Sequence, residues 1–426
     1  MSKTETDRYS QFRRDLHRHP EPAWCEFYTT ARIVEELRER DLDALHVGRD
    51  ALAGGERLNV PDEATLSEWF ERARDAGADP DVLDQLEGGY TGCVAVVERG
   101  AGPTVGLRVD IDGLPITESE DGDHVPAAEG FRSENEGHMH ACGHDAHATM
   151  GLGTIDAVLD SDFSGTLKVF FQPGEEQIVG GKPMAESGHL DDVDYLYAVH
   201  IGLDHPSGEI VCGVDGFLAV RHFLAEFTGE PAHAGAQPEA GRNTVQAMAS
   251  AVQNLYAIPR HSDGPTRVNA GMVGGGTATN IIPEESFVEG EVRGKTTDLA
   301  DYMYEHAERV LDNAAGMHDC EVEVEMLGQA PSAESDQELV DVVGEVAPEA
   351  ADVTNLVERA DLGGSEDATF LMQRVQQQGG LACYVGVGTD HPGGHHTSTF
   401  DVNEADLDRG IAVLSAAIER VAETRP

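Results

Sequence analysis

The chain has 426 residues, of which 40 % are hydrophobic, so it is long enough for two domains and can bury a substantial core. Asp and Glu number 79 against 29 Lys and Arg, a formal net charge of −50, which excludes nucleic acid and anionic membranes as partners because both would be repelled. The sequence has neither an apolar N-terminal segment nor an apolar run of about 18 residues, so we expect a soluble cytoplasmic protein.

The acidic residues are dispersed along the chain, as at Glu35, Glu36, Asp191 and Asp298, and are not gathered in one binding tail. We interpret them as a solvating surface suited to a halophilic cytoplasm, because strong salt screens such repulsion, with a Debye length of about 3 Å at 1 M. The fold is therefore expected to loosen in dilute buffer. The six cysteines are irregularly spaced and include no C-x-x-C pair, so a disulfide framework is not expected.

The first half of the chain alternates predicted helices and strands. Hydrophobic periodicity predicts helices over 8–18 and 29–40, and a polar, acidic insertion follows over 46–90, where Pro61 and Asp62 begin a further helix. Strands are predicted at 93–97, 105–109, 167–171 and 195–199, with a helix after His140. This alternation is typical of an α/β fold with a mixed, mainly parallel sheet flanked by helices, and such sheets carry their chemistry at the carboxyl ends of the strands.

Residues 219–327 have a different pattern, with predicted strands at 220–227, 267–273, 286–293 and 322–326 and helices at 244–256 and from Asp298. We predict that they form an inserted α+β domain. The other domain is then made of 1–218, which contains the insertion, and 328–426, which ends in an amphipathic helix over 404–423.

The densest group of potential metal ligands lies between Gly137 and His147, where four histidines, one cysteine and one aspartate occur in 11 residues. Imidazole, thiolate and carboxylate suit zinc, manganese and similar divalent ions. Cys142 and His144 lie two residues apart just before a predicted helix, so a loop there can direct both side chains at one ion. The alternatives are a polar surface loop and a structural zinc site. A structural zinc site needs four protein ligands, and this sequence has no second Cys/His cluster of the usual spacing to supply them.

Three further segments carry potential ligands. Glu175 and Glu176 follow a predicted strand that ends in Pro-Gly, and one carboxylate can ligate an ion while the other acts on water. His200 lies at a strand end, and His395 and His396 occupy a glycine-rich loop. Taken singly, the Glu175–Glu176 pair also fits a solvated surface, and His200 also fits a hydrogen-bonded core histidine. The His395–His396 pair also fits an ordinary loop.

Asp110 and Asp112 alternate at the end of the strand predicted at 105–109. An aspartate in such a place can hold a ligand histidine in the orientation that the ion requires, and a simple turn aspartate is the alternative.

Together these segments resemble the co-catalytic metallopeptidase family of aminoacylases, hippurate hydrolases and indole-acetyl-amino-acid hydrolases. The matching segments run in order along nearly the whole chain, at 14–21, 108–115, 139–147, 171–176, 199–202, 232–235, 280–283 and 365–367. A closer resemblance, to p-aminobenzoyl-glutamate hydrolases that pair two kindred subunits, is carried by the insertion at 48–50, 60–66, 70–74 and 86–92, and also by 211–213, 234–239 and 364–369.

The resemblance implies two divalent ions, manganese or zinc, with ligands at Cys142, His144, Glu176, His200 and His396. His396 is preferred to its neighbour His395 because it lies four residues before Phe400, as the family ligand lies before its aromatic residue.

The resemblance also implies roles for residues outside the ligand set. Glu175 matches the family's general base, and Asp112 matches the aspartate that orients a ligand. His233, Asn280 and Arg293 match residues that contact substrate from a lid and dimerisation domain, which would be 219–327. The sequence departs from the family at Gly174, where Ala is usual, and at 397–398, where Pro often follows the last ligand.

The expected activity is hydrolysis of the amide bond of an N-acyl or N-aroyl amino acid, with p-aminobenzoyl-glutamate as the preferred type of substrate. Indole-acetyl-aspartate, hippurate or an N-acetyl amino acid is the alternative substrate. A different alternative is an inactive metal-binding subunit of a heteromeric hydrolase. The expected assembly is a homodimer or a heteromer with a related subunit.

Overall fold

The computed structural model describes residues 3–350 and 352–425. In chain order the strands are β1 (Ala44–Val47), β2 (Cys93–Arg99), β3 (Thr104–Asp110), β4 (Gly165–Gln172), β5 (Tyr195–Ile201), β6 (Glu209–Asp215), β7 (Ala219–Thr228), β8 (Ala232–His233), β9 (Thr266–Gly275), β10 (Ile281–Ile282), β11 (Glu285–Gly294), β12 (Glu321–Ala330), β13 (Asn355–Asp361) and β14 (Leu381–Val387). The helices are α1 (Lys3–Arg18), α2 (Phe27–Arg38), α3 (Glu63–Asp75), α4 (Pro80–Leu83), α5 (Val125–Glu129), α6 (His144–Leu159), α7 (Gly181–Ala185), α8 (Thr244–Leu255), α9 (Thr297–Met317), α10 (Gln337–Val346), α11 (Ala368–Gln377) and α12 (Ala405–Thr424).

The described residues form two compact units. The first contains the described parts of Met1–Gly216, Ala333–Leu362 and Asp367–Pro426, and the second contains Phe217–Ser332 and Gly363–Glu366. The sequence alone places the boundaries at 219 and 327 and does not single out the Gly363–Glu366 segment. Residues 328–330 belong to the second unit because they continue strand β12.

The first unit is built on an eight-stranded sheet in the order β1-β2-β4-β3-β5-β14-β6-β13. The pairs β4–β3, β3–β5, β5–β14 and β6–β13 are parallel, and the remaining three pairs are antiparallel, so the expected mixed α/β sheet is confirmed. The central strands are continuous apolar runs such as that of β5, because helices cover the sheet and both sets of side chains are buried.

Helices pack against this sheet in two groups. Helix α6 contacts β3, β4 and β5 and also α1 and α12, while α11 contacts β5, β14 and α7. Nearly all of α6 is buried, which fits its apolar sequence and makes it a rigid support for the residues at its first turn. In the described residues no helix is both long and apolar enough to pass through a lipid bilayer. All six cysteines are buried free thiols.

The insertion at 46–90 folds within the first unit. Its helix α3 begins where the sequence predicts, since Asp62 is the N-cap and accepts a hydrogen bond from the Thr65 N–H at 2.7 Å. Asn59 donates to the Gln177 side chain at 2.8 Å, next to the Glu175–Glu176 pair, and the Trp69 ring meets His138 edge to face. The insertion therefore contacts two of the loops that carry potential ligands.

The second unit is an antiparallel sheet in the order β12-β7-β11-β9, packed against α8 and α9. Alternate residues of β7, among them Phe223, Ala225 and Phe227, are buried in a core shared with these helices. Such alternation is expected for a sheet with one covered face. Strands β8 and β10 form a separate two-stranded ribbon.

Candidate metal and catalytic site

Three neighbouring parallel strands bring the motif residues to one edge of the sheet. Asp110 is the last residue of β3, Glu175 follows β4 by three residues, and His200 is the penultimate residue of β5. Because β4, β3 and β5 are adjacent and parallel, their carboxyl ends meet there. The loop that ends in Gly143 starts α6 at the same edge with His144 as its first residue.

All five predicted ligands converge in the structure. Several groups of residues have potential donor atoms within 4.8 Å of one another, among them Cys142 with His144 and His200, Cys142 with Glu176 and His396, and His144 with Glu175 and Glu176. A further group joins Asp110, His144 and His147. Cys142 belongs to two of these groups, so the donors form one continuous cluster. Thiolate, imidazole and carboxylate donors of this kind suit zinc or manganese.

The environment of His144 fits a cation. Its Nε2 atom is buried without a hydrogen-bond partner, although carboxylate oxygens of Asp110, Glu176 and Glu175 lie 3.6, 3.7 and 3.9 Å away. Burial opposes the charged imidazole, but Asp110, Asp112 and Glu176 outweigh it and raise the pKa of His144 to about 10. A buried polar atom facing several carboxylates is costly, and a divalent ion bound there would neutralise them.

Asp112 joins two of the ligand loops. The His144 Nδ1–H donates to its Oδ1 at 3.1 Å, and the Glu176 N–H donates to its Oδ2 at 3.0 Å. This leaves Nε2 of His144 as the nitrogen that an ion could use, and it holds the Glu176 backbone. The position agrees with the orienting role that the resemblance implies for Asp112.

His200 directs one ring nitrogen at the cluster in a similar way. Its Nδ1–H donates to the Ile201 carbonyl at 2.8 Å, so Nε2 faces the Cys142 sulfur at 3.4 Å. Burial and the neighbouring His147 and His395 rings hold the pKa of His200 well below its usual range. The ring is therefore neutral, and its Nε2 lone pair is available to an ion.

His147 is a histidine of the same motif to which the sequence gives no role. The Ile201 N–H donates to its Nε2 at 2.8 Å, and its Nδ1–H donates to Asp110 at 2.5 Å, so both ring nitrogens are already used. Burial opposes ionisation of Asp110, but His144, His147 and Arg108 hold its pKa well below the usual range. The Asp110–His147 pair thus ties β3 to the end of β5 beneath the cluster.

The two adjacent histidines His395 and His396 make different contacts. The His396 Nε2 lies 3.5 Å from Glu176 Oε2, and the His396 N–H donates to the Ala141 carbonyl at 2.8 Å. His395 instead accepts the Leu203 N–H at its Nε2 atom, and it belongs to no donor group in the described part of the chain. The contacts favour His396 as the ligand.

The loop that carries the general-base candidate has a glycine for a conformational reason. Gly174 has φ +67°, and a Cβ there would lie 2.9 Å from the Val179 side chain. Its N–H donates to buried Glu26 at 2.7 Å, which holds the turn before Glu175. This turn explains why the sequence has Gly174 where the family usually has Ala. Glu175 is itself buried, at 8 % exposure.

A charged network lies behind the ligand loop. Asp145, which follows His144, accepts hydrogen bonds from Arg13 at 2.7 Å and from His17 at 2.8 Å. Arg13 also donates to Asp401 at 2.5 Å. These fully or nearly buried groups connect α1 to the start of α6 and to the C-terminal part of the chain.

The three predicted lid residues belong to the second unit. His233 is exposed and accepts the Gly235 and Ala236 N–H groups at Nδ1, both at 3.1 Å, so its neutral ring carries the hydrogen on Nε2. Asn280 follows closely in space, since its carbonyl accepts the Ala234 N–H at 2.9 Å. The third residue, Arg293, lies in β11.

Arg293 is held by a carboxylate on its own strand. Its Nε and Nη2 both donate to Glu291 at 2.9 Å, and Nη1 donates to the Ser365 hydroxyl at 3.4 Å. His222 on the neighbouring strand lies 3.0 Å from the same carboxylate. One edge of the guanidinium is thus already occupied.

A thiol, imidazole and carboxylate cluster at the carboxyl edge of a mixed α/β sheet forms a candidate metal centre of the kind that activates water in hydrolases. The family model for Peptidase family M20/M25/M40 matches residues 106–420, and the chain belongs to this family. It is therefore a metal-dependent amidohydrolase.

The similar proteins extend over the whole chain. It is 42 % identical to indole-3-acetyl-aspartic acid hydrolase of Enterobacter agglomerans and 41 % identical to one of the subunits of p-aminobenzoyl-glutamate hydrolase from Escherichia coli (strain K12), in each case over 97 % of this chain and 94 % of the relative. The crystal structure of an aminobenzoyl-glutamate utilization protein from Klebsiella pneumoniae is 35 % identical, with a TM-score of 0.85 over 99 % of this chain and 98 % of that one. A Bacillus subtilis protein, YXEP, described as a dinuclear metal-binding peptidase of the M20 family, is 25 % identical, with a TM-score of 0.67 over 99 % and 100 % of the two chains.

Proposed function

We propose that this protein hydrolyses the amide bond between an aromatic acyl group and an acidic amino acid, of the p-aminobenzoyl-glutamate type, and releases the amino acid. The observation that carries the proposal is the convergence of Cys142, His144, Glu176, His200 and His396 beside the carboxylate of Glu175. The two relatives at 42 and 41 % identity are each named for a compound in which an aromatic acyl group is joined to aspartate or glutamate.

Two divalent ions, manganese or zinc, would be held by these five ligands. The two overlapping donor groups that share Cys142, and the dinuclear metal binding of the Bacillus subtilis neighbour, support a pair of ions. Such ions supply Lewis-acid activation of water and of the amide carbonyl.

Glu175 is the proposed general base. It is adjacent to the ligand Glu176, it is buried, and its Oε2 lies 3.9 Å from His144 Nε2, so it faces the same cluster without being needed as a ligand. A carboxylate in this place takes the proton of the attacking water and passes it to the leaving amine nitrogen.

The second unit supplies the proposed substrate contacts, as a lid that also mediates dimerisation. His233 has its Nε2–H directed away from its own loop, which suits donation to the oxyanion of the tetrahedral intermediate. Arg293 is the proposed partner of the substrate carboxylate. Because Glu291 occupies its Nε–Nη2 edge, the substrate would bind at Nη1, which has two hydrogens and donates one of them to the Ser365 hydroxyl at 3.4 Å.

The substrate proposal is tested with a panel of amides. Purified protein loaded with manganese or zinc should hydrolyse p-aminobenzoyl-glutamate faster than hippurate or an N-acetyl amino acid, as measured by kcat/KM. Indole-acetyl-aspartate is the strongest competitor, because the relatives do not separate the two. A preference for hippurate or N-acetyl substrates would contradict the proposal.

The catalytic role is tested with Glu175→Ala. We expect metal content to be retained and kcat to fall by roughly 10²–10⁴-fold, the usual contribution of a general base. Glu120→Ala, at a carboxylate that is 83 % exposed, is the matched control and should leave kcat unchanged. Near-wild-type kcat in Glu175→Ala would remove the residue from this role.

The alternative is a metal-binding subunit without activity of its own, which is suggested by the name of the Escherichia coli relative, since that name describes one part of a larger hydrolase. The complete set of ligands with Glu175 argues against it. Turnover by the purified chain alone would decide between them, and inactivity that is relieved only by a related second subunit would favour the heteromer.

A further inference from the structure

His395 lies beside the cluster but makes different contacts from its neighbour His396. The Leu203 N–H donates to His395 Nε2 at 3.0 Å. A nitrogen that accepts a hydrogen bond carries no proton, so the neutral ring has its hydrogen on Nδ1. That Nδ1 atom lies 3.5 Å from the sulfur of Cys142, which is within the range of an N–H···S hydrogen bond.

The backbone that provides this N–H is unusual. Gly202, Leu203 and Asp204 are consecutive residues with φ of +92°, +51° and +61°. A leucine in the left-handed region costs about 1–2 kcal/mol, so the surrounding structure must hold it there. The strained turn places the Leu203 N–H at the His395 ring.

The turn also packs closely against the His395 ring. A Cβ at Gly202 would collide with His395 Nε2 and would lie 2.9 Å from its Cε1. The ring is further enclosed by Phe400, His391 and His200, whose ring centroids lie 4.8, 4.9 and 5.3 Å away. Packing and the backbone donor together fix both the orientation and the tautomer of His395.

We propose that His395 is a positioning residue that donates a hydrogen bond from Nδ1 to the thiolate of Cys142 and thereby tunes this ligand. The proposal rests on the metal site assigned above. A hydrogen bond to a thiolate lowers the energy of the filled sulfur orbitals, so the sulfur donates less charge to the ions and leaves them stronger Lewis acids. It also holds the sulfur at the point where the two donor groups overlap.

The role of hydrogen-bond donor proposed for His395 can be distinguished from the role of ligand proposed for its neighbour His396. A ligand contributes a lone pair and its loss removes metal, whereas a hydrogen-bond donor changes the sulfur and leaves the ions in place. Asparagine is a conservative replacement because its amide NH₂ can take the position of Nδ1. Phenylalanine fills the same space without a donor.

The test uses the full-length protein loaded with Co(II), which shows a sulfur-to-metal charge-transfer absorption. In His395→Phe we expect two equivalents of Co(II) to remain, the band to move to lower energy, and kcat to fall roughly tenfold or more, as for other residues that support a metal ligand. His395→Asn should return the band towards its wild-type position. His391→Phe, in the same aromatic cluster, is the control and should leave the band unchanged.

A second measurement reads the tautomer directly. Two-bond ¹H–¹⁵N spectra of histidine-labelled, zinc-loaded protein should show a His395 ring protonated at Nδ1 and not at Nε2. A proton on Nε2, an unshifted band in metal-replete His395→Phe, or loss of one metal equivalent in that variant would each overturn the proposal. Absence of a charge-transfer band in the wild type would instead refute Cys142 as a ligand, and the amide panel tests the activity separately.

Discussion

His17 provides a prediction of pH-dependent stability. Its ring is fully buried, with Nδ1 2.8 Å from Asp145 and Nε2 3.0 Å from Glu118. Burial alone would lower the pKa, but the hydrogen bonds and charges of the two carboxylates outweigh it and raise the pKa of His17 to about 9. The protonated ring is thus favoured in the folded protein.

The sign follows from the two pKa values. In the unfolded chain the pKa of His17 is 6.5, so its stabilising charge is fully present below pH 6.5 and is lost as the pH rises through 9. A rise of about 2.5 units at 1.36 kcal/mol per unit gives about 3 kcal/mol. Because the ring is inaccessible to solvent, screening does not reduce this figure appreciably.

The measurement is urea unfolding of the metal-loaded protein from pH 6 to 10 at constant high salt. The difference in unfolding free energy between wild type and His17→Gln should be largest at pH 6 and should shrink by about 3 kcal/mol by pH 10. Phe131→Leu removes an uncharged ring that packs edge to face against His17, so it should cost the same amount at every pH. A pH-independent difference for His17→Gln, or an equal slope for both variants, would refute the reasoning.

Three other perturbations have defined outcomes. Thermal unfolding should occur at markedly lower temperature in dilute buffer than in multimolar salt, because the net charge of −50 is then unscreened, and equal midpoints would contradict this. Asp112→Asn should weaken metal binding roughly 10–100-fold in a chelator competition. The two carboxylate oxygens of Asp112 accept separately from His144 and from the Glu176 N–H, and an amide has one oxygen. Unchanged affinity would remove Asp112 from its orienting role. Arg13→Met should cost about 3–5 kcal/mol in denaturant unfolding, because it leaves Asp401 without this buried cation and leaves Asp145 with His17 alone. A loss below about 1 kcal/mol would show that these carboxylates are not paired as described.

The sequence predicts the elements that carry local signals. The N-cap at Asp62 and the apolar runs of β3, β4 and β5 are visible in the residues themselves, and the structure confirms them. These strands also end in the residue types that bind metals, so the sheet edge that carries the site could be inferred without coordinates.

The place of other strands in the sheet is set by distant partners. Strand β13 is a half-exposed edge strand with charged residues such as Glu358 and Arg359, and it is specified by parallel pairing with β6. Strand β14 is an apolar run like that of β5, so a strand is visible in its sequence, but its place between β5 and β6 is not, because both are remote in sequence. Pairing between segments so far apart leaves no period that a window of neighbouring residues can show.

The choice among the histidines depends on the same long-range contacts. By residue type and sequence position alone, His144, His147 and His395 are equally good candidate ligands, because each has two ring nitrogens and lies in a ligand-rich segment. Backbone N–H groups of Ile201 and Leu203 occupy Nε2 of His147 and His395, whereas the Asp112 carboxylate binds Nδ1 of His144 and leaves its Nε2 for an ion. The end of β5 thus occupies Nε2 of His147, and the turn after β5 occupies Nε2 of His395. A substitution that straightened this turn would free Nε2 of His395 without altering any predicted ligand.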